Sequence, residues 1–97
     1  MFIGSLTIRL LVRESRTLKD KRQVVKSILA RLRVEFNVSA AEVDSLEDVK
    51  VATLGFATVG FETVAVQHVL QEITEALRKH PVAEFLGHET SVGHEVV

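Results

Sequence analysis

Nine of the chain's twelve basic side chains fall between Arg9 and Arg33. Arg13, Arg16, Lys19, Lys21 and Arg22 crowd one short segment, and Lys26, Arg31 and Arg33 follow it. Cations at this density neutralise phosphates, releasing the counterions those phosphates held. At about 100° per residue, Lys19, Arg22, Lys26 and Arg33 fall within about a 60° arc of a helix, beside its apolar stripe. Five cations also gather where that helix would begin, although the positive end of a helix dipole disfavours them. An arriving anion resolves the conflict, either a phosphate backbone or an acidic patch. A second resolution is internal, with Glu42, Asp44, Glu47 and Asp48 of the same molecule neutralising the helix face. The sequence leaves both open. On the first, Arg13, Arg16, Lys19, Lys21, Arg22, Lys26 and Arg33 are the candidate phosphate contacts.

Other chemistries find less. Glu42, Asp44, Glu47 and Asp48 lack EF-hand spacing and the glycine that goes with it, so they read as a solvated turn. His68, His80, His88 and His94 form no helix metal signature of the H-E-x-x-H kind. There is no cysteine, which excludes disulfides, thiolate metal sites and a cysteine nucleophile. Glycine-rich phosphate loops are missing, and no serine sits in a nucleophile elbow. Nothing assembles an acid, a base and a nucleophile. The expectation is a binding protein with no catalytic residues, metal or cofactor.

Leu54-Gly55-Phe56-Ala57-Thr58-Val59-Gly60-Phe61 matches five of the seven specified positions of the RNA-recognition-motif octapeptide. Met1-Phe2-Ile3-Gly4-Ser5-Leu6 is similar to that motif's first-strand hexapeptide. The octapeptide's contact positions would be Leu54, Phe56 and Thr58, expected on the open sheet. One stacking ring survives there and the cation is gone. The matching glycine and apolar positions are what any central strand beneath two helices requires.

The elements that position these residues follow from periodicity. Even positions from Phe2 to Val12 are apolar apart from Gly4, so Met1 to Val12 reads as a strand with one core face. Thr17 reads as an N-cap with Asp20 three residues on, opening a helix from Leu18 to about Glu35. Strands are expected at Asn37 to Asp44 and Val49 to Phe61, then a helix from about Glu62 to Pro81. The last strand runs from Ala83 to Val97, with a break expected at Gly87 or Gly93. This is a ferredoxin-like α+β order, split β-α-β-β-α-β: a four-stranded antiparallel sheet with both helices on one face. The first and third strands would be central. The other sheet face would stay open, carrying Thr7, Arg9 and Arg13.

Ninety-seven residues form one domain, residues 1–97, with 46% hydrophobic and 26% charged side chains. The net charge of −1 conceals +7 over residues 1–33 and −8 over residues 34–97. The longest charge-free stretch, Val51 to Phe61, is eleven residues, too short for a membrane helix. Arg9 interrupts the apolar N-terminus, which has no basic leader, so the cytoplasm is the expected location. One Asn, three Gln and one Met suit a heat-tolerant protein.

Thr17-Leu18-Lys19-Asp20-Lys21-Arg22, the helix through Leu29 and Leu32, Phe36-Asn37-Val38-Ser39 and Ala41-Glu42-Val43 together resemble the YlxP-like family of small bacterial proteins of unknown function. The Leu54-Gly55 strand, the second helix and His80-Pro81 continue the similarity over most of the chain. The resemblance implies a ferredoxin-like fold and a cytoplasmic bacterial protein. It brings no catalytic residues or cofactor. Members are often encoded beside transcription-elongation and translation-initiation factors, an association that favours an RNA or ribosome partner. The expected function is a non-catalytic RNA- or ribosome-associated module working through the basic helix. The alternative is a homodimer, formed through the open sheet or an edge strand, with no nucleic-acid role.

Overall fold

The computed structural model describes residues 1–94. Six elements follow in order: β1 (Phe2–Leu11), α1 (Leu18–Glu35), β2 (Ser39–Asp44), β3 (Val51–Gly60), α2 (Thr63–Arg78) and β4 (Glu84–His94). The strands form one antiparallel sheet in the order β2-β3-β1-β4, the ferredoxin-like arrangement. The expected strand through residues 95–97 lies outside the described residues.

Alternation on β1 builds the core. Leu6, Ile8 and Leu10 are fully buried between the sheet and the helices. Their β3 partners in register are Phe56, Leu54 and Ala52, equally buried. Val25, Ile28, Leu29 and Leu32 of α1 and Val66, Leu70, Ile73 and Leu77 of α2 close the layer from one side. α1 packs against β2, while α2 lies over β1, β3 and β4. Gly4 is the apolar strand's exception because α2 passes directly over it. A Cβ there would sit 2.3 Å from a Val66 methyl, far inside contact distance.

Register places Phe56 opposite Leu6, on the helix side of β3. The expectation that Leu54, Phe56 and Thr58 would project onto the open sheet is therefore corrected. All three are buried, and Phe56 is 3% exposed. Thr58 donates its hydroxyl to the Asn37 carbonyl at 2.9 Å, which holds the chain entering β2. The expected irregularity in β4 falls beside Gly87: Arg9 pairs with Gly87 but Leu10 with Phe85, leaving Leu86 as the extra residue of a bulge. Gly93 pairs regularly with Ile3.

Helix α1 begins as its sequence dictates. Thr17 Oγ1 accepts from the Asp20 N–H at 3.1 Å, and the Asp20 carboxylate accepts in return from the Arg16 N–H. The return bond lands one residue earlier than in a standard capping box. After α2, the His80 ring organises the passage into β4. Its Nδ1 accepts from the Val82 and Ala83 N–H groups at 3.2 and 3.1 Å.

Partial burial, and then the Arg31 cation, hold the His80 pKa below its ordinary 6.5. The unfolded chain therefore binds a proton at pH values where the fold does not. Stability is expected to fall as pH drops through about 6.5 towards the lower folded value. Urea midpoints measured on either side of that range test this. In His80→Asn, whose Oδ1 can still accept, this component of the slope should vanish.

Candidate nucleic-acid interface

The basic run of α1 divides into an inner and an outer set. Lys21 belongs to the inner one. It occupies the same stripe as Val25, Ile28 and Leu32 and is 0% exposed. Its ammonium donates to the carbonyls of Ser45 at 2.7 Å, Val51 at 3.1 Å and Leu46 at 3.4 Å. Glu42 Oε2, on the helix side of β2, lies 3.0 Å from the same nitrogen. Three N–H groups and three carbonyls leave that oxygen with charge compensation but no aligned hydrogen bond. Lys21 is thereby corrected as a phosphate contact: its charge is consumed inside the fold.

This inner cluster also fixes the β2–β3 turn. Ser45 takes a left-handed backbone, φ 58°, an unusual conformation for a non-glycine residue. Its carbonyl is held by Lys21 and its hydroxyl shares a 2.8 Å hydrogen bond with Thr53. Asp48 accepts from the Val51 and Lys50 N–H groups, and those two bonds hold its carboxyl below the usual carboxylate range. They also explain why β3 starts at Val51 rather than Val49. Lys50, in turn, donates to the Arg13 and Ser15 carbonyls at 2.6 and 2.8 Å, tying the β1–α1 loop to the same end.

The acidic segment after β2 thus has structural duties, and it does not reach the outer cations. Arg16, Lys19, Arg22 and Lys26 are exposed. Among the described residues their side chains make no ion pair or hydrogen bond. The two remaining candidates are engaged: Arg13 pairs with Glu84, and Arg33 donates to the Ala40 carbonyl of β2. Arg33's reach shows that this flank of α1 lies on the β2 side. Arg31, nearer His80, is paired with Glu35 at 2.9 Å. From Lys19 to Lys26 the free cations cover about 10 Å of helix axis at ~1.5 Å per residue. The arrangement is a linear track of positive charge on a rigid element.

The internal neutralisation that the sequence offers is met in part, by Glu42 alone and only at Lys21, whose burial the count of cations did not show. Helical spacing carried the signal, because Lys21 precedes Val25 by four residues and Ile28 by seven. Among the described residues no group of three His, Asp or Glu side chains stands close enough to hold a metal ion. No helix among them is long and apolar enough to cross a membrane.

A family profile described as "Protein of unknown function (DUF503)" matches residues 3–90. The Bacillus subtilis (strain 168) protein named "Uncharacterized protein YlxP" is 29% identical over 82 residues, covering 84% of this chain and 89% of that protein. Among solved structures, the de novo designed protein Foldit4 superimposes with a TM-score of 0.52 at 16% identity, over 98% of each chain. That likeness speaks to fold alone.

Proposed function

The chain belongs to the DUF503 family of proteins of unknown function, and for this member we propose a non-catalytic role: it binds the phosphate backbone of RNA along the outer face of α1. Arg16, Lys19, Arg22 and Lys26 are the contacts, with ribosomal RNA within the partner class and the cytoplasm as the setting. One observation carries the reading. Lys19, Arg22 and Lys26 stand free on α1, and Arg16 just before its N-cap, while the acids that would neutralise them are occupied elsewhere or out of reach. Base reading is weak, because Phe56 is in the core, the chain has no Trp or Tyr, and the exposed Phe61 lies just past β3 and not on α1.

The test is fluorescence anisotropy with a single-stranded RNA oligonucleotide across a salt series. Three to four phosphate contacts give a slope of roughly −2 to −3 in log affinity against log salt. The triple variant Lys19→Ala, Arg22→Ala, Lys26→Ala is expected to flatten that slope by about 2 and to weaken binding at least about tenfold at low salt. Arg31→Ala, which removes a cation already paired with Glu35, should leave the slope unchanged. Absence of RNA binding at low salt rejects the proposal.

A further inference from the structure

The sheet face opposite the helices is uncovered. Odd positions of β1 and β3 point to it, and register sets Ser5 beside Ala57 and Thr7 beside Gly55 at its middle. These side chains are small, so another layer can approach closely. Apolar groups gather at one end: Ile3 is 41% exposed, Val59 53%, and Phe61, just past β3, 91%. At the other end Arg9 shares a shallow cleft of about 400 Å³ with Asp44 and Glu89. It makes no ion pair with either.

We propose that this face seats a second copy of the chain, sheet against sheet, about a two-fold axis parallel to the strands. Such an axis lays β1 of one copy over β3 of the other, and β4 over β2. It brings the Ile3–Val59–Phe61 ends together and sets Arg9 against Asp44 of the second copy. An in-plane axis across the strands would instead bury Arg9 against Ile3 and Val59, leaving a desolvated charge unpaired.

Size agrees with this occupant. Four strands at ~4.8 Å and ten residues at ~3.3 Å give roughly 600 Å² of face per copy. The pair then approaches the ~1,200 Å² at which stable interfaces begin. RNA suits the face poorly: Asp44 and Glu89 outnumber Arg9, and the ring nearest to it, Phe61, stands at its far end, just past β3. The inference is independent of the helix α1 reading.

Sedimentation velocity on nucleic-acid-free protein at micromolar concentration decides it. Wild type is expected at twice the chain mass. Ala57 is exposed at the centre of the face, so Ala57→Arg should give a monomer with an unchanged far-UV spectrum. Arg9→Asp and Asp44→Arg should each weaken dimerisation by about tenfold or more, and the double exchange should restore it. A monomeric wild type overturns the proposal. So does a dimer that survives Ala57→Arg.

Discussion

Replacing Lys21 by methionine is expected to cost about 3–5 kcal/mol of folding stability, the effect of removing one partner from a buried ion pair. The substitution leaves the Glu42 carboxylate without its counter-charge and the Ser45, Leu46 and Val51 carbonyls without their donor. It also releases the left-handed Ser45 turn from the helix that pins it. For a domain of this size the loss corresponds to a fall in Tm of roughly 15–30 °C. Glu42→Gln is expected to cost less, since every Lys21 hydrogen bond survives it. Lys21→Met combined with Glu42→Leu should recover part of the loss, but not all, because the carbonyls stay unpaired. Urea unfolding of the three variants measures this. A cost below about 1 kcal/mol for Lys21→Met would show that Lys21 does not hold the turn. The contrast with the outer stripe is the informative part: Lys19 and Arg22 flank Lys21 in sequence, and their removal should scarcely change the urea midpoint.

That contrast marks where sequence reasoning stopped. The bounds of α1 were legible at both ends, from Thr17 and Asp20 at the start and the last apolar repeat near Glu35. The core face of β1 was equally plain in its alternation. A count of cations, however, treats each lysine as surface. Which one turns inward depends on partners distant in the chain, here Glu42 and the turn beyond it. The same limit applied to Glu42, Asp44, Glu47 and Asp48, whose proximity in sequence suggested one acidic patch. The fold sends Glu42 inward, places Asp44 on the open face and uses Asp48 to start β3. Facing on β3 was ambiguous for a related reason. Both of its alternating sets contain apolar residues, and only pairing with β1 shows that Leu54 and Phe56 belong inside.

The facing of β3 makes Phe56 the second decisive position. Truncating it to alanine is expected to cost about 3–5 kcal/mol, the range for a large aromatic removed from a core. Phe56 is 3% exposed, opposite Leu6 on β1 and Ala40 on β2, with α-helices over it. Neither neighbouring strand can shift to fill the space without breaking register. An RNA-recognition motif predicts the reverse pattern. There a stacking ring at this position contributes about 1–3 kcal/mol to binding and little to folding. Phe56→Leu separates the two without unfolding the protein, since it keeps an apolar core residue but removes the ring. If RNA contacts run along α1, Phe56→Leu should bind RNA with unchanged affinity and salt slope, while Phe56→Ala lowers the urea midpoint sharply. A variant that keeps its stability but loses RNA affinity would return the ring to the surface and the binding site to the sheet.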